Sequence, residues 1–322
     1  MTITIRPYCV NDAQVWDEFC KEALQATFLH TRNFLSYHED RFDDHSLILE
    51  KDNKVIGLFP AAISSESDGY VSSHPGITYG GLLHKGRLRG ETMITALAEI
   101  ARYYQKQGFR RLLYNAVPNI YHKAPAQDDQ YALFRLGAEH VRYDLSCAID
   151  LCNRLSVSQR RRRSFKKALR ASVVLAEGLC NLPLFWDILA MNLKSKYGVN
   201  PVHSIEEITL LADKFPHSIR CVTASIDRQI VAGIVLFITP TVSHAQYIAS
   251  NETGAQFSAL DVVFEYSIDL AIQDKKRWFD FGISTEAKGK VINDGLHGFK
   301  CEFGGGGVVH NFYELDLTKK MF

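Results

Sequence analysis

Gln229-Ile230-Val231-Ala232-Gly233, followed by Tyr247, Gly254, a helical run over 256–273, the basic pair Lys276-Arg277 and an apolar run over 278–283, is the stretch that decides the fold. The same landmarks stand earlier in the chain. They are Lys54-Val55-Ile56-Gly57, Tyr79-Gly80, Gly90, a helical run over 91–107, Arg110-Arg111 and an apolar run over 112–117. Each copy reads as strand, tight turn, strand, further hairpin strand, glycine, helix, basic pair, strand. Two copies are too few for a solenoid. The blocks 46–117 and 219–284 therefore predict a duplicated α/β domain with a ligand cleft between or beside its halves.

A chain of 322 residues accommodates two such domains, and 46% apolar with 23% charged residues is the composition of an ordinary globular protein. The net charge of +1 gives no bulk attraction to nucleic acid or to a membrane surface. Seven cysteines without a CxxC pair or zinc spacing read as reduced, mostly buried thiols. Residues 1–8 alternate like a strand, unlike a signal peptide, and the apolar runs fall far short of the roughly 18–20 residues that span a bilayer. A soluble, cytoplasmic monomer or small homo-oligomer is expected, without metal.

Around the repeat, residues 2–6 alternate as a strand and 11–26 carry helical spacing. Ser46–Glu50 and Lys54–Ser64 read as strands joined by Lys51-Asp52-Asn53, and Asp68-Gly69 as a turn into Tyr70–Ser73. Helix 91–107 ends at Gly108, a left-handed cap. A short helix over 127–136 and a strand over 139–150 close the first half. Residues 152–164, with Arg160-Arg161-Arg162-Arg163, read as a polar linker entering a helix that ends near Arg170. Helices follow over 181–197 and 204–214, the second with a Ser204/Glu207 capping box. The segment 284–300 reads as a polar loop and Val308–Leu317 as the last strand.

The turn Asn251-Glu252-Thr253-Gly254-Ala255-Gln256 opens a helix, and unpaired N–H groups at such a turn can hold a phosphate. It carries neither GxGxxG nor a Walker pattern. The tail contains Phe279-Asp280-Phe281-Gly282-Ile283-Ser284-Thr285-Glu286, Asn293-Asp294-Gly295-Leu296, Phe299-Lys300 and Phe303-Gly304-Gly305. The first half contains His74-Pro75, Tyr79-Gly80-Gly81 and Val117-Pro118-Asn119-Ile120-Tyr121-His122. With these segments the chain resembles the tandem-GNAT acyltransferases, which include Fem-type peptidoglycan aminoacyl transferases and sugar N-acyltransferases of polysaccharide clusters.

That resemblance implies two GNAT-like domains, each a mixed, mostly antiparallel sheet flanked by helices. Residues 1–151 would form an acceptor-binding wall and 152–322 the acyl-CoA half. It implies transfer of an acyl group, 3-hydroxybutyryl or acetyl, from acyl-CoA to the amine of a nucleotide-linked amino sugar of the dTDP-3-amino-3,6-dideoxyhexose type, for O-antigen or other cell-surface polysaccharide in bacteria. The acyl-CoA is a co-substrate that would lie where the fourth strand, Ser243–Ser250, splays from the fifth, Arg277–Gly282. Ser250, Thr253, Gly254, Ala255 and Ser258 would bind it; the usual Q/R-x-x-G-x-G/A signature is absent.

Direct attack of the amine needs a base, an oxyanion donor and a holder for the ammonium. The candidates are Glu286, first choice for base or ammonium holder, then Asp280, Asn251 and Ser284. Tyr79, Tyr121, His122, Asn293 and Lys300 would bind the sugar or phosphate. Buried Asp280 needs partners. His244 reads as an ordinary surface or core histidine, and the arginine run as a solvated helix start or a pyrophosphate grip. Two other readings stand beside this one: a Fem-type enzyme using aminoacyl-tRNA, and a catalytically silent tandem-GNAT binding protein.

Overall fold

The computed structural model describes residues 3–64 and 69–319. The chain divides into two compact units, one of Met1–Asp144, Ala287–Val291 and Val309–Phe322, the other of Leu145–Glu286 and Ile292–Val308. This differs from a single cut after residue 151. The strand Gly306–Asp316 puts its last residues in the first unit because Phe312–Asp316 pair there with Arg111–Asn115. A strand belongs with its ladder partners, whatever its place in the chain.

The repeat is present down to its backbone irregularities. In the first unit, Leu47–Lys51 and Lys54–Phe59 are joined by Asp52 and Asn53, with φ of 51° and 58°. In the second, Ile219–Ile226 and Gln229–Ile238 are joined by Asp227 and Arg228, with φ of 48° and 65°. Two consecutive left-handed residues make the tight turn whose twist matches a hairpin. Each hairpin also slips register at the same distance from its turn. Glu50 faces Val55 while Leu49 faces Gly57, and Ser225 faces Ile230 while Ala224 faces Ala232. Ile56 and Val231 are thus equivalent bulge residues.

In the N-terminal unit the hairpin joins Thr4–Pro7 and Leu83–His84 in a four-stranded antiparallel sheet. Tyr70–Ser72 and Arg111–Asn115 run parallel on either side of helix Glu91–Lys106, which ends before Gly108 at φ +90°. Its apolar stripe, Met93, Ala96, Leu97, Ile100 and Tyr104, packs into a core with Leu47, Leu49, Phe59 and Leu112. The expected strand Lys54–Ser64 is broken: Lys54–Phe59 and Ala62–Ser64 join different ladders, and Pro60 at the break has no N–H for pairing. Asp68 of the expected Asp68-Gly69 turn lies outside the described residues.

In the C-terminal unit the strand order is Val174–Glu177, Ile219–Ile226, Gln229–Ile238, Val242–Ser250, Trp278–Ile283 and residues 145–150 of Glu139–Asp150. All neighbours are antiparallel except Val242–Ser250 and Trp278–Ile283, which are parallel because helix Ala259–Gln273 carries the chain back between them. That helix buries Val263, Phe264, Ile268 and Ala271 against Val222, Ile234, Phe279 and Phe281. The Ser204/Glu207 capping box opens helix Ile205–Lys214 as the sequence predicts. The segment 284–300 is not a loop throughout. Asn293 Oδ1 accepts from Leu296 N and starts helix Asp294–Cys301. Among the described residues no helix is long and apolar enough to cross a membrane, and no group of His, Cys, Asp or Glu is disposed to hold a metal ion.

The arginine run begins a helix, Gln159–Arg170, capped by Ser158, and is not linker. Its four members differ. Arg161 faces inward, its side chain 7% exposed, with Nη1 3.0 Å from Asp261 Oδ1 and Nε 2.8 Å from Glu302 Oε2. Burial pushes the Asp261 carboxyl up to about 6 despite that guanidinium. Arg162 and Arg163 are exposed. Arg161→Ala strands two carboxylates and should cost about 3–5 kcal/mol. Arg162→Ala or Arg163→Ala should stay within about 0.5 kcal/mol. Urea unfolding of the three variants checks this, and equal losses would contradict it.

Candidate active site

Parallel pairing between Val242–Ser250 and Trp278–Ile283 lasts three residues: Val242 with Trp278, Ser243 with Phe279, His244 with Asp280. Beyond that point Val242–Ser250 stays paired only with Gln229–Ile238, from Leu236–Ala245 to Ala232–Ser250. Both strands bulge where they part. Gln246 is the extra residue between the pairs Val235–Tyr247 and Leu236–Ala245. On the other strand Asp280 faces Ala148 and Ile283 faces Ser146, with Gly282 at φ +78° inside the bulge. The result is a slot along an edge that no strand covers among the described residues, with Asn192 Nδ2 reaching Ser250 O at its far end. Asn251 N donates to Val231 O, so by alternation the N–H groups of Ile248 and Ser250 point away from that partner, into the slot.

The bottom of the slot is a polar knot. Asp280, fully buried, accepts from Ser146 Oγ and from Gly282 N (2.9 Å) on Oδ1, and its Oδ2 lies 3.0 Å from His244 Nδ1. A buried carboxylate must be satisfied in this way. The bulge reverses the alternation, so half-buried His244 shares a face with Tyr247 and Ala249, while Ala245 and Ile248 pack into the core with Ile234 and Leu236. A carboxylate on Nδ1 fixes the ring and favours the tautomer in which Nε2 is the basic nitrogen. In the sequence His244 reads as an ordinary surface or core histidine. Only the parallel register, which puts His244 beside Asp280, marks it.

Lys300 lies under the same bulge, on helix Asp294–Cys301. It is 4% exposed, and Nζ donates to Gly282 O (2.9 Å) and Ile283 O (2.7 Å). It is a tie between helix and strand and not the expected sugar or phosphate ligand. Burial pulls its ammonium down to about 8, against the opposing pull of Asp280.

The other expected residues divide. Glu286 and Asn293 come together at the end of the strand, with Asn293 Nδ2 donating to Glu286 Oε1 at 3.1 Å, and both remain accessible. Ser284 is 2% exposed and its buried Oγ has no hydrogen-bond partner among the described residues, so it is not an open nucleophile or donor. The Asn251 side chain accepts from Gly254 N (2.9 Å) and caps the turn Glu252–Gln256, which makes it a structural cap where a catalytic group was expected. Ser250 Oγ donates to Asn251 O, and Ser250 O accepts from Asn192. Gly254 is forced by contact, since a Cβ there would lie 2.3 Å from Val231 O and 2.5 Å from Ser250 Oγ. Thr253 and Ala255 are exposed on this turn, and Ser258, at φ +58°, leads into the long helix.

Of the first-half candidates, Tyr79 and Tyr121 are each 1% exposed, with ring centroids 4.6 Å apart. They form a packed pair and offer no face for stacking on a ligand, because the loop 73–80 folds tightly enough that a Cβ on Gly80 would meet Ser73 O at 1.8 Å. His122 Nε2 bonds Val117 O at 3.0 Å, and burial lowers its proton affinity.

Comparison with known proteins agrees with this fold. Residues 154–289 match the acetyltransferase (GNAT) domain family. No curated protein matches the chain in sequence. Among solved structures it is similar to FemX, with TM-score 0.70 and 11% identity over 98% of this chain and 97% of that one. A conserved protein of unknown function from Bacteroides thetaiotaomicron gives 0.63 at 10% identity, covering 98% and 100%. A tandem GNAT protein from the clavulanic acid biosynthesis pathway gives 0.57 at 9% identity, covering 99% of both chains. The chain has the tandem GNAT fold, and within it residues 154–289 are the part that matches the GNAT domain family.

Lys300 supplies a test of this geometry by pH. Folding lowers its affinity for the proton from the ordinary 10.5 to about 8, so between those values the unfolded chain binds more protons than the folded one. Stability should therefore rise with pH across this window, by up to about 3 kcal/mol. Lys300→Met should remove that rise. Parallel stability curves for the two proteins in urea between pH 8 and 10.5 would contradict a buried ammonium.

Proposed function

We propose that the chain is an acyl-CoA-dependent N-acyltransferase whose base is His244, held by Asp280. The observation that carries this reading is the parting of the two parallel strands immediately after the His244–Asp280 pair. A pantetheine arm laid in the slot finds the N–H groups of Ile248 and Ser250 as partners, and its thioester comes to rest near His244. One of those N–H groups then stabilises the oxyanion. His244 takes the proton from the attacking amine, directly or through water, and the buried carboxylate stabilises the imidazolium that forms; collapse of the oxyanion then breaks the C–S bond, and the expelled thiolate takes that proton and leaves as free thiol. Thr253, Gly254, Ala255 and Ser258, on the turn that follows the slot, are the candidates for the donor's pyrophosphate. Glu286 with Asn293 is the candidate pair for holding the acceptor's ammonium before it loses its proton.

For the acceptor we favour the amine of a nucleotide-linked amino sugar, supported by the likeness of 279–305 to the sugar N-acyltransferases. A Fem-type reading, with aminoacyl-tRNA as donor, draws on one feature of the structure. Helix Gln159–Arg170 exposes Arg162, Arg163, Lys166, Lys167 and Arg170 on one short element, a concentration of cations that suits phosphates.

Release of free thiol from acetyl-CoA or 3-hydroxybutyryl-CoA, with dTDP- or UDP-linked amino sugars as acceptors, tests the proposal. Thiol release that depends on the amino sugar is expected. Transfer only from charged tRNA would replace this reading with the Fem-type one, and no transfer from either donor would leave a binding protein. Within the first outcome, His244→Gln should lower kcat by roughly a hundredfold or more, the usual size of a lost general base. Asp280→Asn should lower it too, by misplacing the ring proton. Glu286→Gln should raise the acceptor KM while changing kcat less than tenfold. A His244→Gln enzyme near the wild-type rate would remove His244 as base.

A further inference from the structure

Two cysteines of the C-terminal unit meet although 154 positions separate them in the chain. Cys147 lies on the strand Glu139–Asp150, and Cys301 is the last residue of helix Asp294–Cys301. Their Sγ atoms are 3.5 Å apart, and the transfer chemistry uses neither. The two differ in setting. Cys147 is fully buried, and burial pushes its thiol far above the ordinary value. Its sulfur is also confined, because a Cβ on Gly305 would lie 2.7 Å from it. Cys301 is only partly buried, and its Sγ lies 3.5 Å from Nε2 of His297, one turn back on the same helix. The Lys300 ammonium is close enough to act electrostatically on both sulfurs.

These are the parts of a thiol oxidation site. The thiolate is the form that reacts with a peroxide, and His297 Nε2 stands where the Cys301 proton has to go. The second thiol then decides where oxidation stops. A sulfenic acid with a thiol beside it condenses to a disulfide and does not go on to the irreversible sulfinic acid. Closing the 3.5 Å gap to the roughly 2 Å of a disulfide bond needs only a local movement at the end of a helix.

We propose that Cys301 and Cys147 form a peroxide-oxidisable dithiol whose disulfide clamps helix Asp294–Cys301 to the strand beside it. Cys301 gives its proton to His297, and the thiolate attacks one oxygen of hydrogen peroxide or an organic hydroperoxide. The O–O bond breaks and the sulfur is oxidised to the sulfenic acid. The leaving hydroxide or alkoxide takes the proton back from His297. Cys147 Sγ then attacks Cys301 Sγ. The S–O bond breaks, the S–S bond forms, and hydroxide leaves with the Cys147 proton as water. The clamped helix carries Lys300, which ties Gly282 O and Ile283 O, and begins after Asn293, which holds Glu286. The oxidation itself does not depend on the transfer reaction.

Treatment of the full chain with one equivalent of hydrogen peroxide, then alkylation in denaturant and peptide mass spectrometry without reduction, tests it. A peptide linking Cys147 to Cys301 should appear in the monomer, and dithiothreitol should restore all seven thiols. Cys9, Cys152 and Cys180 are exposed and should stay alkylatable at the dose that closes the pair. Cys147→Ser should leave Cys301 without a resolving thiol, so that further peroxide carries it to the sulfinic acid. His297→Asn should slow the oxidation of Cys301 roughly tenfold or more. Amide exchange in helix Asp294–Cys301 should be slower in the oxidised protein. Oxidation of the exposed thiols while Cys147 and Cys301 both stay alkylatable, or a disulfide from either to another cysteine, would overturn the proposal. Unchanged exchange in the helix would remove the clamp. The wild-type chain decides these points whether or not the variants fold.

Discussion

The C-terminal unit depends on one buried carboxylate. Asp280 gathers Ser146, Gly282 and His244 around two oxygens at the last residue pair of a parallel ladder. Leaving such a charge unsatisfied would cost several kcal/mol, so the strands are held together up to this pair. Beyond it nothing comparable joins them, and each bulges away. The same interaction that ends the ladder thereby sets the depth of the slot and fixes the histidine at its bottom. Lys300 supports the arrangement from below by binding the two carbonyls that the Gly282 bulge turns out of the ladder.

The two units share a hairpin with the same turn and the same bulge, yet they use their parallel pairs differently. In the first unit Tyr70–Ser72 is a short strand beside Arg111–Asn115, and the chain beyond it folds into the close-packed loop 73–80. In the second the equivalent strand runs on through Ser250 with its edge uncovered by any strand among the described residues. A common block thus serves as a closed scaffold in one unit and as an open slot in the other. Arg32 and His38 stand instead on the early helices, outside the repeated block, and His74 meets His38 from the loop 73–80.

Much of the fold was legible in local sequence because it is decided locally. Turn residues with positive φ, the glycine after helix Glu91–Lys106 and the Ser204/Glu207 box each act within a few residues of themselves. What was not legible depends on partners far along the chain. Arg161 looks like its three neighbours until Asp261 and Glu302 arrive from other elements. Tyr79 and Tyr121 looked like ligand platforms, and only the tight loop around Gly80 buries them together. Of the candidate site, the sequence pointed to the strand ends and to Asp280 as a carboxylate that needs partners. His244 was passed over, because its partner lies 36 positions away and the pairing exists only in the register of the parallel ladder. The role of Lys300 was misjudged for the same reason, since its acceptors are backbone carbonyls that leave no mark in the sequence.

The central claim is that the edge of Val242–Ser250 beyond His244 receives the acyl donor. Amide hydrogen exchange, resolved to single residues and measured with and without coenzyme A, tests it most directly. The account predicts new protection at the Ile248 and Ser250 amides and little change at Val242–His244, which are already paired on both sides. Protection elsewhere, with Ile248 and Ser250 unchanged at saturating coenzyme A, would contradict it.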